Sequence, residues 1–143
     1  MTHLIRKWQT LSARERWLVL EALALLFWAR IAFAFLPLPI ALRAMGQTPA
    51  GTTQRAGRGN AEAVGLAVSR AARYAPIKAA CLQRAFAAFL MLRRRGLPAT
   101  VHFGVRHDKG TSLAAHAWSM SANIPVTGIA SMEEFIPIAI FRA

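Results

Sequence analysis

Cysteine occurs once in this 143-residue chain, at Cys81, and acidic side chains number only 6 against 18 Lys and Arg. The first scarcity excludes an internal disulfide, so the thiol is either buried filler or a reactive group in a reducing compartment, with the cytosol as default. The second leaves a formal charge of +12, which favours an acidic partner such as a peptide, a membrane surface or nucleic acid. Zinc-ligand spacing, a recognisable helix-turn-helix and internal repeats are all missing. The basic residues, from Arg6 to the arginine run at 93–95, are not interleaved with stacking aromatics, which argues against nucleic-acid binding.

A long uninterrupted apolar run is lacking too. Between Leu18 and Leu42 the chain reads LVLEALALLFWARIAFAFLPLPIAL, but Glu21 and Arg30 divide it where a membrane span wants about 20 consecutive apolar residues. Pro37 and Pro39 then end any helix. The segment is also a poor signal peptide, because the polar stretch before it runs to Arg16 without a clear small-residue cleavage site beyond. The preferred reading is a helix that starts near Ser12, with Glu15 at the capping-box position. Its broad apolar surface must be covered by the domain or by a partner, and a peripheral membrane contact stays compatible with the composition.

What is present supports one domain over 1–143, since 55% apolar residues suffice for a real core at this length. We divide it into an apolar N-terminal helix at 12–45, a loop at 46–60 reading GQTPAGTTQRAGRGN, and a core at 61–143. Asn60 resembles an N-cap, with Glu62 in the first turn of a helix that runs toward Tyr74 and is closed by Pro76. The next helix begins around 78–81 and runs to Arg95, with Gly96 at its end and Pro98 beyond. Leu82, Phe86, Phe89, Leu90 and Leu92 form its core side, while Arg93, Arg94 and Arg95 complement the helix dipole. At its start, Cys81 lies where unpaired backbone N–H groups favour a thiolate and could stabilise an oxyanion. A small buried residue is the competing reading.

The period then changes. Residues 99–106 read ATVHFGVR, with Val101, Phe103 and Val105 alternating against Thr100, His102 and Gly104, the pattern of a strand. After the turn HDKGTS, residues 113–121 read LAAHAWSMS, placing His116, Trp118 and Met120 on one face of an antiparallel partner that Asn123 ends. Residues 124–126 and 136–141 are candidates for short further strands. Helices first and strands after argue for an α+β domain in which a helix packs across an antiparallel sheet. His102 reads as a packing or solvated residue rather than a metal ligand.

Together CLQRAFAAFLMLRRRG, ATVHFGVR, AHAW and IPVTG resemble the stand-alone transglutaminase-like cysteine peptidase of lasso-peptide biosynthesis, over 61–141. The resemblance implies a papain/transglutaminase-like fold, with 61–143 as catalytic core, and a peptidase that removes the leader from a ribosomally made precursor. It makes Cys81 the nucleophile and His116 the base, with Arg84 and Trp118 lining the site. The reading requires that thiol and imidazole meet in one cleft. By the same resemblance the leader is presented by a separate leader-binding protein, and an ATP-dependent cyclase acts on the released core peptide. No metal or organic cofactor is required.

One departure stands out. The family places an Asp about a dozen residues past the histidine, where it orients the imidazole as triad logic requires, and this chain reads NIPVTG there. Its only Asp, Asp108, falls in the turn before the histidine strand, and Met120 takes a position often acidic in relatives. Three explanations compete: a side chain, Asn123 or Thr127, orients His116; a backbone carbonyl does so; or the chain is a weak or inactive scaffold of the same maturation complex. A small membrane-associated binding protein is the remaining alternative.

Overall fold

The computed structural model describes residues 2–37, 40, 58–75, 80–107, 113–122, 124–128 and 133–142. Among them, helices α1 (Thr2–Gln9), α2 (Ala13–Phe35), α3 (Arg58–Tyr74) and α4 (Cys81–Arg94) precede strands β1 (Thr100–His107), β2 (Leu113–Ser121), β3 (Ile124–Thr127) and β4 (Ile136–Arg142). This is the expected α+β order.

Local chemistry sets the ends of α2. The Glu15 N–H donates to Ser12 Oγ at 3.2 Å, and the Ser12 N–H donates to Glu15 Oε2 at 2.8 Å, the reciprocal box read from the sequence. The helix stops at Phe35, short of 45, because Leu36 is extended at φ −107° and ψ 136°, the conformation that a following proline imposes. The anticipated loop at 46–60 lies mostly outside the described residues, but its end is shorter than read: α3 begins at Arg58. Asn60 therefore sits inside the first turn instead of capping it, and its Oδ1 accepts from Arg14 Nη2 at 2.6 Å. Helix α1 has no counterpart in the apolar pattern. Its Trp8 packs edge-on against Tyr74, 6.4 Å between ring centroids.

The core lies between the helices and one face of the sheet. Leu18, Val19, Ala22 and Leu26 of α2, Val64 and Val68 of α3, and Phe86, Phe89, Met91 and Leu92 of α4 are buried together with Val101, Ala117 and Val126 of the strands. Phe86 is central, its ring 5.1 Å from Phe33, 6.2 Å from Phe89 and 6.5 Å from Phe103. Helix α4 ends in a left-handed Gly96, φ +67°. The Leu97 N–H reaches Leu92 O and the Gly96 N–H reaches Arg93 O, both at 3.0 Å, a paired closure that needs a residue tolerant of positive φ. The arginines before it do more than answer the dipole, since Arg94 and Arg95 both bind the Glu21 carboxylate of α2 at 3.1 and 2.5 Å.

The sheet has the order β3-β2-β1-β4 with antiparallel neighbours. Helix α4 packs on β2 and α3 on β3. That arrangement holds the cysteine helix and the histidine strand in adjacent layers.

Candidate active site

Cys81 is the first residue of α4, and Ala80 before it is extended at φ −69° and ψ 159°. Alanine offers no side-chain acceptor, so no side-chain cap satisfies the donors of this first turn. Gln83 turns back and accepts from the Ala80 N–H at 3.1 Å, which leaves the following N–H groups as the positive end of the helix. The thiol is half-buried and free, and packs at the edge of the core. Arg84, one turn on, is exposed.

His116 lies on β2. Its Nε2 lies 3.0 Å from the carbonyl oxygen of Gly128, twelve residues further along. If Nε2 carries the proton it donates to that carbonyl, which leaves Nδ1 as the basic nitrogen. Gly128 has φ +69°, and a Cβ there would stand 2.8 Å from Trp118 Cβ and 2.9 Å from His116 Nε2. Glycine is needed both for the backbone angle and for the close approach.

The aromatic surroundings form a stack. The Trp118 indole lies between His102, at 5.5 Å and 12°, and His116, at 5.9 Å and 23°, while Phe135 approaches the His116 ring at 5.0 Å. Arg106 sits over Phe135 at 4.9 Å and pairs with Glu134. Trp118 is only 4% exposed, so it shields one face of the imidazole from water. His102 is a packing residue, its Nε2 also 3.0 Å from Thr100 Oγ1.

Strand register decides which groups share a side. Residues directly opposed across a pair lie on one face, and Gly104 opposes His116 while His102 opposes Trp118. Phe103 opposes Ala117 and Val101 opposes Ser119, and it is Phe103, Val101 and Ala117 that pack toward the helices. His116 and Trp118 therefore occupy the face turned away from α4. Among the described residues no hydrogen bond joins Cys81 to His116.

Of the groups considered for orienting His116, Thr127 directs its Oγ1 to Ser119 Oγ at 2.8 Å, and Asn123, like Asp108, lies outside the described residues. Among the described residues the hydrogen-bond partner of the imidazole is the Gly128 carbonyl. Met120 is half-buried. Among the described residues no three His, Cys, Asp or Glu side chains group to hold a metal.

A family model described as the transglutaminase-like superfamily matches residues 23–139. The chain belongs to the transglutaminase-like superfamily. The match takes in Cys81, the histidine strand and Gly128, and the superfamily commonly uses cysteine-type catalysis and includes cysteine peptidases. No curated protein and no solved structure matches the chain. Sequence reasoning did not find Phe135 or the Gly128 carbonyl: neither an apolar ring past a turn nor a main-chain oxygen carries a side-chain signature of its role.

Proposed function

We propose that this transglutaminase-like domain is a cysteine peptidase that removes the leader from a ribosomally made lasso-peptide precursor. The observation that carries the reading is the half-exposed Cys81 at the start of α4, on a helix end without a side-chain cap. The Cys81 thiolate attacks the carbonyl carbon of the last leader residue, and first-turn N–H groups receive the oxyanion. The C–N bond then breaks, the core peptide leaves as an amine with a proton from His116, and water deprotonated by His116 hydrolyses the thioester to leader carboxylate and thiol. A separate leader-binding protein presents the substrate, a lasso cyclase consumes the product, and the thiol works in the reducing cytoplasm.

A second reading has its own support. His116 faces away from α4 and rests on a carbonyl where relatives place a carboxylate, which favours a weak or inactive scaffold of the same complex. One pair of variants separates the two, with precursor and leader-binding protein present. For the peptidase, Cys81→Ala abolishes cleavage and His116→Ala lowers it by roughly a hundredfold or more, the usual scale for a general acid–base group. Unaltered pathway output from Cys81→Ala establishes the scaffold.

A further inference from the structure

Helix α2 is apolar on both sides, and among the described residues only one side is buried against the domain. Leu18, Val19, Ala22, Leu26 and Ala29 are buried. Opposite them, at helical spacing, Trp17 (73% exposed), Leu20, Phe27, Trp28, Ile31 and Phe35 (82% exposed) form an outward stripe. Only one third of the most apolar stretch of this helix is buried among the described residues. A helix that is apolar all round needs cover on every side.

We infer that this stripe lies on the surface of an anionic membrane, with α2 parallel to the bilayer plane. Two features choose that occupant. The charge is complementary: the chain carries +12, Arg14 and Arg30 on α2 are exposed, and both carboxylates of the helix are neutralised, Glu15 by Arg70 and Glu21 by Arg94 and Arg95. Anionic headgroups attract such a surface. Composition fits as well, since Trp17 and Trp28 are the side chains that settle at the headgroup boundary with apolar neighbours below them.

From Trp17 to Phe35 the stripe runs about 27 Å along the helix. Spanning the bilayer would demand tearing the buried side of α2 from the core and Glu21 from its arginines.

The test is flotation of the full chain with vesicles of phosphatidylcholine, with and without phosphatidylglycerol. Expected are binding to the phosphatidylglycerol vesicles that weakens in high salt, release by an alkaline carbonate wash, and little binding to phosphatidylcholine alone. Trp17→Ser with Trp28→Ser weakens partitioning by about tenfold or more, while Leu66→Ser, an exposed apolar position on α3, leaves it unchanged. Should the double variant fold poorly, quenching of wild-type tryptophan fluorescence by brominated phospholipid supplies the same decision. No flotation, equal flotation of the double variant, no quenching, resistance to carbonate, or a dimer that the double variant dissolves would each overturn the inference.

Discussion

Gly128 carries two duties that no other residue type meets together. Its φ of +69° suits glycine, and a Cβ would enter the space of Trp118 and His116. Gly128→Ala is expected to destabilise the domain by about 1–3 kcal/mol, the range of overpacking in a tight site, seen as a lower urea midpoint at unchanged slope. The same variant displaces the imidazole from its carbonyl, so the histidine ring resonances shift in NMR. A midpoint equal to wild type would mean that the loop bearing Gly128 has room to spare. The thiol was legible from one cysteine preceding a helical apolar run. The group holding the imidazole was not, because a main-chain oxygen is present at every residue and only folding selects which one is used.

At the scale of single elements, the start of α2 is the clearest case of sequence dictating structure. Ser12 and Glu15 satisfy each other's backbone donors, and Ser12→Ala is expected to cost about 1 kcal/mol, measured by thermal or urea unfolding. The Glu15 carboxyl is held below its ordinary value, first by the Ser12 backbone N–H, then by the Ser12 side chain and by Arg70. A carboxyl depressed in the folded state stabilises above its unfolded value, and that contribution is lost as pH falls through the folded one. Glu15→Gln therefore flattens the acid limb of the stability profile while leaving its shape near neutral pH, a small effect because the group is solvent-exposed. Strands β1 to β4 were legible to within about two residues, since alternation and turn residues fix them locally. Helix α1 was not: its mostly polar residues are ordered by Trp8 on Tyr74, a contact between distant parts of the chain.

At the scale of the molecule, the described residues form a helical layer on one face of a four-stranded antiparallel sheet, and Phe86 joins them through Phe33, Phe89 and Phe103. Phe86→Ala is expected to cost about 3–5 kcal/mol, the scale for emptying a buried aromatic site, and to lower the melting temperature sharply. A loss under about 1 kcal/mol would show that neighbouring rings collapse into the space. The layer order was legible from helices preceding strands. The face on which His116 lies was not, because alternation assigns residues to two sides without saying which side the helices cover. Membership of the superfamily and the exposed helix start still point to chemistry at Cys81. The most direct measurement is intact-protein mass spectrometry of the enzyme mixed with precursor and leader-binding protein and quenched in acid during the first turnover. The expected result is an adduct at Cys81 of the leader's mass less one water, labile to hydroxylamine and missing in Cys81→Ala. Leader removal that proceeds with no adduct and survives Cys81→Ala would contradict it.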